Sequence, residues 1–210
     1  MLIAARRSLA FALDSHHKLR YDIDDIDLAV EAYAAVIDML QQQPREYFFA
    51  CIGYVVVLRY RFNRKGDLDD LHVAIRYFEI VIRRCPPNHQ HYSTSLVFHA
   101  NLLIIRSEKR ASIQDIDRAI ECIRNGMTAG RADEPSRPEL LSILGYCLVS
   151  RFLHYGSATD LESAVENCHT AVCLDSESFL DAGACAANMN RLAFALFTRI
   201  QLPDSSRTIF

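Results

Sequence analysis

At 210 residues with a formal net charge of -3, the chain has no overall basic field to hold a polyphosphate backbone, so nucleic acid is set aside as a partner. Half of its residues are hydrophobic and 23% are charged, with seven glycines, six prolines and no Trp; that is a globular composition poor in the turn residues a many-stranded β protein needs. The longest apolar run, Phe48 to Leu58, falls well short of the roughly 20 residues that span a bilayer, which excludes a membrane segment there and predicts a buried helix.

The chain opens with Met1-Leu2-Ile3-Ala4-Ala5 ahead of Arg6 and Arg7, the reverse of a secretory signal, so a cytoplasmic address is expected. A first helix pair is predicted over about 2–41, ending before Pro44. A second follows over 45–86, closed by Pro86-Pro87, and a third over 90–131, closed by the stretch Asp133 to Ser136. A fourth covers 135–175, a last helix at 180–201 is expected to cap the stack, and the tail 202–210 is expected to be disordered. The whole of 1–201 is read as one helical repeat domain.

The pairs are read from a repeat. The pattern Asp-[Ile/Leu]-x-x-Ala-[Ile/Val] begins at Asp25, Asp70, Asp115 and Asp160, each 45 residues after the last. Nine residues before each Asp stand His16, Arg61, Arg106 and Arg151, and between the two marks Gly66 and Gly156 share one position suited to ending a helix. Apolar residues such as Leu71, Ala74, Ile75, Phe78 and Val81 recur at helical spacing after the Asp, so each unit reads as helix, short turn, helix. The acidic residues at the second helix's start suit the positive end of its dipole. The pairs Arg61–Asp70, Arg106–Asp115 and Arg151–Asp160 are expected to staple the two helices of each unit.

These residues resemble the tetratricopeptide repeat. Ala74, Phe78 and Pro86 meet its Ala-x3-aromatic-x2-small-x4-Pro pattern, Ala29 with Tyr33 and Ala164 with Ala171 meet it in part, and Leu144-Gly145 matches its first helix. The longer period, as in Arg151 to Val165, looks like the arrays of fungal proteins that often precede a caspase-like CHAT protease domain. The resemblance implies an all-α, right-handed α-solenoid of about four helix pairs with a C-terminal capping helix. It also implies a scaffold that binds a peptide or protein partner along its concave side. An oligomerisation or regulatory module of a larger protease system is a second reading, with self-association as its sign. A small all-α metal protein or enzyme is the third.

In such stacks the first helix of each pair lines the concave side. Carrying Leu144-Gly145 through the register gives candidate partner contacts at Arg7 and Phe11, Arg59 and Tyr60, Phe98 and Asn101, and Tyr146. A shift of 48 gives Asn190, Arg191 and Phe194 in the last helix. Catalytic signatures are another matter: no Gly-rich phosphate loop, HExxH or Gly-x-Ser-x-Gly occurs, and Cys147 and His154 lie about two helical turns apart. Cys85, His89 and His91 match no paired-ligand spacing, and the acidic strings lack the Gly and Glu of a calcium loop. No enzymatic activity, metal or cofactor is expected, and the seven cysteines, without a CxxC pair, are read as reduced core thiols.

Overall fold

A computed structural model describes residues 23–84, 87, 89, 92–129, 136–177 and 182–202; the predicted first helix, with Arg7, Phe11 and His16, lies outside them. Among the described residues there are eight helices and no strand. They are α1 (Ile23–Met39), α2 (Pro44–Lys65), α3 (Leu68–Arg84), α4 (Tyr92–Arg110), α5 (Ile113–Ala129), α6 (Arg137–Tyr155), α7 (Ala158–Glu177) and α8 (Ala182–Ile200). The chain forms two compact units, Met1–Cys85 and Pro86–Phe210.

Local chemistry sets the helix ends. Proline opens α2, and another lies in the first turn of α6, where no hydrogen bond is lost. Gly66 and Gly156 close these helices in the left-handed conformation, at φ 71° and 74°. Their amide nitrogens donate to the carbonyls of Phe62 and Phe152 at 2.7 Å. Ala111 stands at the same register position after α4 with φ 50°, a conformation in which its Cβ is crowded. Ala111→Gly is therefore expected to stabilise the chain by about 0.5–1 kcal/mol, even after the larger unfolded-state entropy of Gly is set against the relief. Urea denaturation checks this, and a shift to lower midpoint would contradict it.

In the first unit α2 packs between α1 and α3. Gly53 lets α2 approach α1 closely, because a Cβ there would collide with the Tyr33 ring. Ile26, Ala29, Val36 and Ile37 of α1, Leu58 of α2, and Leu71, Ala74 and Phe78 of α3 are all buried. The signature alanines Ala29, Ala74, Ala119 and Ala164 are all fully buried, so their small size serves close helix packing.

In the second unit consecutive helices pack in series from α4 to α8. The first helices of successive pairs also touch, α4 against α6 and α6 against α8, whereas α5 and α7 do not. First helices thus form the tighter layer of this unit, and second helices the more open one. Gly145 is the point of closest approach within the fourth pair: an added Cβ would strike Cys168 Sγ and the Ala164 carbonyl.

Candidate interaction surface

The recurring charges form ion pairs. Arg61 Nε lies 3.0 Å from both Asp70 oxygens, and its Nη2 lies 2.5 Å from Oδ1. Arg106 donates to Asp115 from Nε and Nη2 at 2.8 and 2.6 Å, and Arg151 holds Asp160 at the same two distances. Two of these arginines reach a second carboxylate, in the preceding pair. Arg61 Nη1 lies 3.2 Å from Asp27, which Lys65 Nζ also binds at 2.7 Å, and Arg151 Nη1 lies 3.8 Å from Asp117. Hydrogen bonds to Asp70 and Asp160 hold the Arg61 and Arg151 guanidinium groups above their usual pKa, and the Lys65 ammonium holds Asp27 below its own.

The candidate contact residues fall on α2, α4, α6 and α8. Arg59 is exposed and Tyr60 half-buried on α2; Phe98 and Asn101 are half-buried on α4. On the adjoining first helices of the second unit, Tyr146 joins its neighbours on both sides. Its hydroxyl donates to Glu108 Oε1 of α4 at 2.7 Å, and its ring lies 5.6 Å from that of Phe194 on α8. Burial, reinforced by Glu108, raises the Tyr146 pKa and keeps it a donor. Asn190 is exposed.

Arg191 points elsewhere: Nη1 donates to Ser142 Oγ at 2.9 Å and contacts Asn188 Oδ1 at 3.4 Å. Asn188 in turn bonds Ser142 and donates from Nδ2 to Asp175 Oδ2 at 2.7 Å, so α6, α7 and α8 meet around a buried polar cluster. Glu139 faces it, its pKa raised by burial and by Asp175 against the opposing pull of Arg191. Ser142, Asn188 and Asp175 recur nowhere in the register, so the repeat gives no sign of them. A polar Asn188 amid the apolar residues of α8 is the one local hint.

A pocket of about 360 Å³ in the first unit was likewise not foreseen. Gln41, Tyr47, Tyr54, Tyr77, Arg76 and Arg84 line it, with Val73 and Ile80. The Arg84 guanidinium covers the Tyr47 ring at 4.3 Å and donates to Gln41 Oε1 at 2.7 Å, while Tyr54 and Tyr77 meet edge to face at 5.0 Å.

The thiols differ from the single expectation of core residues. Cys51, Cys147 and Cys168 are buried thiols outside any disulfide, and Cys122 and Cys185 are half-buried. Cys173, however, is exposed on α7. Burial pushes the Cys147 thiol up to about 12 and Cys168 to about 11, which keeps both protonated at neutral pH. Cys85 and His91 lie outside the described residues.

No family model matches the sequence, and no curated protein matches it. Among solved structures, the chain is similar to one from Podosopora anserina, described as a kinesin light chain with nearly identical TPR-like repeats. The TM-score is 0.62 at 14% identity, over 99% of this chain and 92% of that one. A de novo designed helical repeat protein aligns with a TM-score of 0.41 at 14% identity, over 95% of each chain. The first likeness, with the helix pairs and their 45-residue register, makes this chain a TPR-like all-α helical repeat array. At that identity the likeness concerns fold alone.

Proposed function

We propose that the chain is a protein-interaction scaffold that holds a peptide or protein segment across α4, α6 and α8. The observation that carries this reading is the row of adjoining first helices, on which Asn101, Tyr146 and Phe194 occupy one register position and Tyr146 bridges to both neighbours. Aromatic rings with an amide beside them offer a rigid apolar surface and a donor for a peptide backbone. In the first unit that register position is Val56, with the candidates Arg59 and Tyr60 three and four residues further along α2, and Asn190 extends the row on α8. A cytoplasmic location and non-catalytic action belong to this reading, supported by free buried thiols whose pKa values lie far above neutral. Among the described residues no helix is long and apolar enough to cross a membrane.

A pull-down with the purified chain tests it. The variant Asn101→Ala/Tyr146→Ala should recover a specific partner about tenfold less well than the unaltered chain, the scale of losing an aromatic anchor. Equal recovery of every partner by both would remove the case for this surface.

A further inference from the structure

The pocket of the first unit has no part in the scaffold reading. Its open volume of about 360 Å³ is within the range of sites that enclose a small organic molecule. Tyr47 and Tyr54 of α2 and Tyr77 of α3 wall it with rings, and Val73 and Ile80 add an aliphatic side. Tyr47 and Tyr54 are only 3% and 7% exposed, so packing fixes these walls. Burial also lifts all three hydroxyls above their usual pKa, which keeps them neutral beside an anion.

Two guanidinium groups line the same space, and among the described residues neither has a carboxylate to hold. Arg84 covers the Tyr47 ring at 4.3 Å and donates to the neutral Gln41, from Nη2 to Oε1 at 2.7 Å and from Nη1 to the carbonyl at 3.4 Å. Arg76 forms no hydrogen bond or ion pair among the described residues, and Asp38, which stands near Tyr54 and Tyr77, pairs with neither arginine. Arg61, Arg106 and Arg151, by contrast, each hold an Asp. The register shows that the scaffold does not require this set. Arg76 stands where the other three pairs have Glu31, Glu121 and Glu166, Arg84 where they have Met39, Ala129 and Leu174, and Tyr77 where they have Ala32, Cys122 and Asn167. Helix pairing thus accepts the opposite charge at position 76. The connection that leaves α3, residues 85–91, contains no Asp or Glu, so it supplies no carboxylate to either arginine.

We infer that this pocket binds a small, flat carboxylic acid in its anionic form. The aromatic or apolar body of the ligand lies among the tyrosine rings, and its carboxylate meets Arg76 and Arg84, whose forked donors match that group. Asp38 nearby favours a single negative charge over the double charge of a phosphate monoester. The site shares no residue with the surface of α4, α6 and α8, so the two readings stand or fall separately.

Isothermal titration calorimetry of the full chain with naphthalene-2-carboxylate and biphenyl-4-carboxylate tests this, with the matching primary amides and 2-naphthyl phosphate alongside. Saturable binding of at least one carboxylate is expected, with its amide about tenfold weaker, the scale of losing charge-assisted hydrogen bonds. Arg76→Glu should weaken the carboxylate about tenfold or more and leave the amide unchanged. Because Glu occupies this register position in the other pairs, the variant should fold, which circular dichroism and a urea midpoint check. Arg76→Gln, which removes the charge without reversing it, should weaken the carboxylate to a smaller extent. Failure of both carboxylates to bind would overturn the inference, including the case in which a segment of the chain itself fills the pocket. So would equal affinity for acid and amide, tighter binding of the phosphate, or carboxylate binding indifferent to both Arg76 variants.

Discussion

Arg106→Met is expected to cost about 3 kcal/mol, the scale for breaking a buried pair by removing one partner. Asp115 exposes only 5% of its surface and takes two hydrogen bonds from Arg106. Without that guanidinium the buried carboxylate keeps only the longer ion pair to Arg118, at 4.0 Å from an exposed side chain that solvent screens. Arg106→Met/Asp115→Leu should regain most of the loss, because the desolvation cost of both charges goes with them. Urea denaturation followed by circular dichroism separates the cases. A double variant no more stable than the single one would mean that the pair contributes attraction beyond its own desolvation, and the staple would be a stronger device than argued.

Phe78→Ala should cost about 4 kcal/mol by the same measurement. Phe78 is fully buried one helical turn after Ala74, on the α3 face that also buries Leu71, Ile75 and Val81. Truncation removes the ring's burial and leaves a cavity that rigid neighbours fill only in part. Phe78→Leu keeps much of the volume and should lose about 1.5 kcal/mol or less. A loss below about 1 kcal/mol for the alanine variant would show that the site collapses, contrary to close packing.

The helix pairs were legible in the sequence because what repeats is what any such pair needs: a small residue at the crossing, an acid at a helix start and an Arg nine residues before it. The turn between helices was legible where Gly66 and Gly156 stand and hidden at Ala111, whose residue type gives no sign of a positive φ. The second carboxylates, Asp27 and Asp117, were missed, since they follow from packing between successive pairs rather than from spacing within one. Register transfer located a row of surface positions but not side-chain directions, so Arg191 was read as a contact when its guanidinium turns to Ser142 and Asn188. The pocket was invisible for a related reason. Tyr54 and Tyr77 correspond to His99 and Cys122 one period on, where Nδ1 and Sγ lie 3.4 Å apart, so positions that repeat in space do not repeat in chemistry.

The doubly engaged arginines bear on how the chain divides into working pieces. Arg61 and Arg151 each spend part of the guanidinium on their own pair and part on the one before it. A single pair cut out alone would keep the inner contact and leave the outer donors to water. The smallest fragment that retains the complete charge arrangement is therefore two successive pairs. A truncation series should show its step in stability there, where neighbour contacts first appear, rather than at the length of one repeat.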